Sequence, residues 1–178
     1  VTSALLAISL ESLKIKARSW LGWQIPIISN KSYGKAIIED VKTDQILEFF
    51  KKNQVAIISG FQGISDENRI TTLGRGGSDT SAVAIAASFS ADRCDIYTDV
   101  DGVYTTDPRI VKRAKKLDII TYEEMLELAS QGAKVLQTRS VALAMKYNVK
   151  LRVLSSFEDV PGTSITKEGS NMEKSEIS

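Results

Sequence analysis

Thr72-Leu73-Gly74-Arg75-Gly76-Gly77-Ser78-Asp79-Thr80 sets three glycines around one arginine and follows them at once with a serine and an aspartate. A β-branched run, Val55-Ala56-Ile57-Ile58, lies upstream, and a small-residue stretch from Ala82 to Phe89 follows directly. Runs of the first kind fit a strand buried on both faces of a parallel sheet. Residues 78 to 90 read as a helix, with Ser78 or Asp79 placed as its N-cap. Glycines let backbone N–H groups come close to an anion, and a helix N-terminus offers N–H donors and the positive end of its dipole. Arg75 adds a planar fork suited to a carboxylate or a phosphate. The stretch reads as an anion-binding loop between strand and helix. The plain alternative is a tight turn with a solvated arginine.

Working outward, the strand–helix alternation repeats. Apolar spacing predicts a helix from the start to about residue 17, an edge strand or loop at 24–28 around Pro26, a strand at 36–38 and a helix at 44–52. After the arginine loop, Cys94-Asp95-Ile96-Tyr97-Thr98 reads as a strand, followed by a turn-rich loop from Asp99 to Arg109. Thr121-Tyr122-Glu123-Glu124 is a capping box that opens a helix to about Ser130. A second helix is expected from about Ala133 to Tyr147, and a last strand from Lys150 to Leu154. This order argues for an α/β domain with a mostly parallel sheet. In such sheets ligands bind beyond the carboxyl ends of strands. Gly60-Phe61-Gln62-Gly63, the Arg75 loop and the Asp99–Arg109 loop are therefore expected to converge on one crevice.

Composition narrows the chemistry. The 178 residues suffice for one domain with a core, and 43% of them are apolar. The net charge of +1 offers no electrostatic case for nucleic acid or a membrane surface. No apolar run approaches the roughly 20 residues of a spanning helix, and a lone cysteine, Cys94, fits a reducing compartment, so the cytoplasm is expected. There is no histidine, which removes the serine–histidine triad, the HExxH zinc site and the HRD kinase loop together. No GxxxxGK[ST] phosphate loop occurs either. Chemistry here rests on Arg, Lys, Asp, Ser, Thr, Tyr and backbone.

Two further candidates invite a ligand. Asp99-Val100-Asp101-Gly102 has its glycine too early for a calcium loop and lacks the late glutamate. It reads either as a turn or as a loop over a nucleotide, with Thr98 and Asp99 at the strand end and Tyr104 and Arg109 as contacts. Lys134, just after Gly132, is either a surface lysine or an ammonium set on a phosphate near a helix start. Trp20, Trp23 and Cys94 read as packing residues, and Glu123, Glu124 and Glu127 as a solvated helix face.

Taken together, Gly60–Gly63, Ile70–Thr80, Ile96–Arg109, Tyr122–Met125 and Gly132–Leu136 occur in the order of the aspartate kinases, members of the amino acid kinase superfamily, which this chain resembles over residues 1 to about 166. The resemblance implies a three-layer α/β/α sandwich and transfer of the γ-phosphate of ATP to the β-carboxylate of L-aspartate, at the entry to lysine, threonine and methionine synthesis. By motif matching, Arg75, Gly76, Gly77, Ser78, Asp79, Thr80 and Ser81 would line the aspartate site, Arg75 gripping the α-carboxylate and Asp79 orienting substrate and active-site lysines. Thr98, Asp99, Tyr104, Arg109, Lys134 and Val135 would hold ATP, and magnesium would arrive on its phosphates.

The family's Lys-Phe-Gly-Gly-Thr-Ser segment, whose lysine stabilises the phosphoryl group in flight, does not occur in this sequence. The chain starts at Val1 in what reads as the middle of a helix, so the expectation is a domain with its N-terminal part missing, over residues 1–166, and a polar tail or linker start over 167–178. Weak or absent activity is expected of the chain alone. Three alternatives stay open: a non-catalytic nucleotide-binding remnant, one subunit of a split enzyme, and a sibling kinase for another carboxylate or UMP. A second copy or a complementing N-terminal fragment would be the partner.

Overall fold

The computed structural model describes residues 1–132 and 135–168. The chain forms two compact units, Val1–Phe89 and a second one beginning at Ser90.

The first unit runs α1 (Thr2–Ser12), β1 (Ala17–Trp20), β2 (Ile27–Ser29), β3 (Ile38–Val41), α2 (Asp44–Phe50), β4 (Val55–Ile58), β5 (Gln62–Ile64), β6 (Ile70–Thr72) and α3 (Gly77–Ser88). β1 and β4 pair in parallel, Ala17 against Val55 through Trp20 against Ile58. The other four strands form one sheet in the order β3-β2-β5-β6, with a parallel pair at its centre and antiparallel edges. Ile25, Ile27, Ile46, Leu73 and Val83 are fully buried and make the core. The hydroxyls of Ser29 on β2 and Thr71 on β6, both buried, share a 2.5 Å hydrogen bond.

Several expectations change here. The first helix stops at Ser12 rather than near 17, because Lys14 turns left-handed (φ 62°) and sends the chain back as β1. β4 forms where expected but is not buried on both faces: Val55 is 42% exposed and β1 is its one strand neighbour among the described residues. Trp20 is buried, edge-on to Phe49 at 5.6 Å, whereas Trp23 is half exposed and is not a packing residue. β5 and β6, a short hairpin, carry too little apolar alternation to be read from sequence.

The second unit runs β7 (Cys94–Thr98), β8 (Val103–Tyr104), β9 (Lys116–Leu117), β10 (Ile119–Thr121), α4 (Tyr122–Ser130), α5 (Thr138–Tyr147), β11 (Leu151–Ser155) and β12 (Thr163–Thr166). Its sheet has the order β10-β12-β11-β7. β7 and β11 are parallel over five residue pairs, from Cys94 against Leu151 to Thr98 against Ser155. β8 and β9 form a separate antiparallel ribbon. Met125, Val141, Leu151, Val153 and Ile165 are fully buried and make its core, and α4 packs on α5 and against β10 and β12. The capping box forms as read: Thr121 Oγ1 accepts from the Glu124 N–H at 3.2 Å, and the Glu124 carboxylate accepts from the Thr121 N–H at 2.8 Å. The helix expected from Ala133 begins at Thr138; Ala133, Lys134 and the tail from Gly169 lie outside the described residues.

Candidate functional site

Leu73, fully buried, anchors the arginine turn, and the chain then passes Gly74 (φ 73°), Arg75 and Gly76 (φ 64°, ψ 21°) into α3. Left-handed backbone at two positions in three is costly for residues with a Cβ and ordinary for glycine. This geometry also moves the helix start. The N-cap is Gly76, not Ser78 or Asp79, because the left-handed turn brings the chain into helix at Gly77. Ser78 and Asp79 instead occupy the first turn, where the Asp79 carboxylate faces the positive end of the helix dipole.

The turn is fixed from two sides. The Leu73 N–H donates to the Phe61 carbonyl at 3.2 Å, and the Phe61 N–H donates to the Ser81 hydroxyl at 2.9 Å. Gly60–Gly63 and the Arg75 loop therefore meet, as two of the three segments were expected to. Phe61 holds a left-handed φ of 67°, a strained setting for a bulky residue of the kind that gathers at functional sites. From the other side, Ala36 donates to the Thr72 carbonyl, while the Thr72 N–H and hydroxyl both donate to the Tyr33 carbonyl, all at 2.9 Å. Tyr33 and Ala36 were not singled out from sequence, and nothing local marks them, since their partners lie more than 30 residues away.

The arrangement sorts the residues of this segment. Arg75 and Ser78 are exposed, Gly74, Gly76 and Asp79 half-buried, and Gly77, Thr80 and Ser81 buried. The Thr80 hydroxyl donates to the Gly76 carbonyl at 2.8 Å and the Ser81 hydroxyl to the Gly77 carbonyl at 2.6 Å. These two hydroxyls brace the helix opening from within. Arg75 is exposed at this opening, where the Gly77 N–H donates to the Gly74 carbonyl at 3.0 Å.

The second loop belongs to the second unit. Thr98 ends β7, and its hydroxyl donates to the Asp99 carboxylate at 3.1 Å. Asp101, read from sequence as a turn residue, is a centre here: the Tyr104 hydroxyl donates to both its oxygens at 3.1 Å and Lys116 Nζ stands 3.5 Å away. Burial, then the hydrogen bond to Asp101 and its charge, raise the Tyr104 phenol above its ordinary range and keep it a donor. Arg109 is exposed and forks onto Asp107 at 3.1 and 3.0 Å; that hydrogen bond holds the Asp107 carboxyl below its usual range. Val135 lies half-buried in a bend ahead of α5. Lys116 was missed, because it lies 15 positions along the chain from Asp101, beyond a turn-rich loop.

A family model described as the amino acid kinase family matches residues 1–155. The chain belongs to the amino acid kinase family. Among curated members it is 53% identical over 174 residues to the aspartokinase of Rickettsia conorii, an alignment covering 97% of this chain and 43% of that protein. It is 53% identical over 179 residues to the aspartate kinase of Pseudomonas fluorescens, covering 100% of this chain and 43% of that one. Among solved structures, Escherichia coli aspartokinase III in complex with aspartate and ADP superposes with a TM-score of 0.85 at 33% identity, over 95% of this chain and 39% of that one. The Synechocystis aspartate kinase gives 0.79 at 43% identity, over 93% and 27%. The chain thus has the amino acid kinase fold and spans less than half the length of the aspartokinases it matches. A UMP kinase from Bacillus anthracis shares the fold at 20% identity, TM-score 0.67.

Proposed function

We propose that this chain is part of an aspartate kinase catalytic domain, in which the Arg75 turn holds L-aspartate and the Asp99–Arg109 loop holds ATP. The observation that carries the reading is the left-handed Gly74–Gly76 turn, which sets an exposed guanidinium at the opening of α3. In this reading Arg75 forks onto the substrate α-carboxylate, and the helix opening faces the same negative charge. Asp79 orients the substrate and active-site lysines, Gly77 and Ser78 line the site, and Thr80 and Ser81 hold its shape. Thr98, Asp99, Tyr104, Arg109, Lys134 and Val135 are assigned to the nucleotide, Arg109 exchanging its Asp107 partner for phosphate.

The step needs no general base, since a carboxylate is ionised at pH 7. A β-carboxylate oxygen bonds to the γ-phosphorus, the bond from phosphorus to the β–γ bridging oxygen breaks, and ADP leaves with the electron pair. Positioning and charge neutralisation supply the acceleration. Among the described residues no three carboxylate or thiol side chains gather as a metal cage, and magnesium in this reading travels on the ATP phosphates. No helix of the described residues is long and apolar enough to cross a membrane; we assign the protein to the cytoplasm and to amino-acid biosynthesis leading to lysine.

The phosphoryl-stabilising lysine is not among these residues, and loss of such a group costs on the order of 100-fold or more in rate. Purified 1–178 supplied with ATP, magnesium and aspartate is expected to form ADP weakly or not at all. Adding a fragment that carries the Lys-Phe-Gly-Gly-Thr-Ser segment is expected to raise the rate with aspartate and not with UMP or acetylglutamate. A near-normal rate from 1–178 alone would overturn the impairment, and a preference for UMP would overturn the substrate.

A further inference from the structure

The base of the Asp99–Arg109 loop is tied by a side chain 60 residues away. Thr163, the first residue of β12, is fully buried. Its hydroxyl accepts from the Val103 N–H at 2.8 Å and donates to the Leu117 carbonyl at 2.5 Å, so one group ties both strands of the β8–β9 ribbon to the main sheet. Gly102, just before Val103, comes so close that a Cβ there would stand 2.7 Å from Thr163 Oγ1. Contacts closer than about 3 Å are essentially never made by a real Cβ, so glycine is required for this approach.

We propose that Thr163 is a positioning residue for nucleotide binding: its hydroxyl sets the base of the loop, and through it the placement of Asp99, Asp101 and Tyr104. The proposal rests on the reading that this loop holds ATP. Thr163 reaches no ligand itself. Its hydroxyl fixes the N–H of the residue directly before Tyr104, while Lys116, reaching across from β9 to the Pro161 carbonyl at 2.9 Å, holds the Asp101–Tyr104 pair on the outer side. A valine in place of Thr163 keeps the shape and leaves one buried N–H and one part-buried carbonyl without this partner at once. A serine keeps both bonds.

The test titrates ADP with magnesium into the 1–178 chain by calorimetry and follows amide exchange in the ligand-free chain. Thr163→Val is expected to weaken ADP binding roughly tenfold and to speed exchange at the Val103 amide, while amides of the β7–β11 ladder keep their protection. Thr163→Ser is expected to restore both. Native ADP affinity in a folded Thr163→Val chain would overturn the proposal. If that variant loses protection throughout, Gly102→Ala carries the test, because its methyl pushes the loop off an intact hydroxyl; unchanged affinity there overturns the proposal equally. A wild-type chain that binds no ADP would overturn the nucleotide reading and the positioning role with it, an outcome distinct from a wild type that binds and a valine variant that binds as well.

Discussion

Arg75 stands between two left-handed glycines, and both kinds of residue in that turn are open to a direct test. Arg75→Ala removes a two-pronged, charge-assisted contact, so aspartate binding is expected to weaken at least tenfold. Arg75→Lys keeps the charge and loses the fork, and is expected to recover only part of the affinity. Because Arg75 is exposed, neither variant should move the unfolding midpoint much. Gly76→Ala behaves in the opposite way: at φ 64° the added Cβ is expected to cost about 1–2 kcal/mol, read as a lower urea midpoint with unchanged slope. The turn was legible in the sequence because its whole grammar, glycine, arginine and helix cap, falls within nine residues. Its supports were legible only in part: Phe61 lies in the Gly60–Gly63 segment expected to meet the turn, though its left-handed φ carried no mark, whereas the backbone contacts of Tyr33 and Ala36 emerge only as long-range hydrogen bonds. The N-cap was misread for a related reason, since composition favours serine or aspartate there while the left-handed turn demands glycine one step earlier.

Between elements, β7 and β11 carry a cross-strand ion pair. Asp95 sits opposite Arg152 in the register, and the guanidinium forks onto it at 3.1 and 2.7 Å while Arg93 adds a further contact at 3.1 Å. Burial pushes the Asp95 carboxyl up, and the two arginines more than offset it, so the net direction is down from 3.8. A carboxyl lowered by folding stabilises the fold fully above its unfolded pKa, near 3.8, and the contribution is lost as pH falls through the lower folded value. Asp95→Asn is therefore expected to cost about 1–2 kcal/mol at neutral pH, with the gap to wild type narrowing below pH 4 in urea unfolding followed across pH. At the α4 start, Thr121→Ala breaks the capping box and is expected to cost about 1 kcal/mol. Strands and helices with their own signal, β4, β7, β11, α2 and α4, were readable from spacing. β5, β6, β8, β9 and β12 were not, because two to four residues gain strand character only from the partner they pair with.

Across the whole molecule, one family match runs through both compact units, and the chain covers less than half of its curated aspartokinase relatives. Each unit carries one of the two proposed binding segments, the Arg75 turn in the first and the Asp99–Arg109 loop in the second. The α/β class was legible because the alternation of strand and helix spans the chain, and the substrate assignment came from several segments in order rather than from any one. Binding, not turnover, separates the roles of the two loops. The most direct measurement is calorimetry of L-aspartate, and separately of ADP with magnesium, on purified 1–178 and its Arg75→Ala variant. The expected result is that wild type binds both ligands, whereas Arg75→Ala loses aspartate at least tenfold and keeps ADP unchanged. Aspartate binding that is unaffected by Arg75→Ala, or absent from a folded wild type that binds ADP, would contradict the assignment of this turn as the aspartate site.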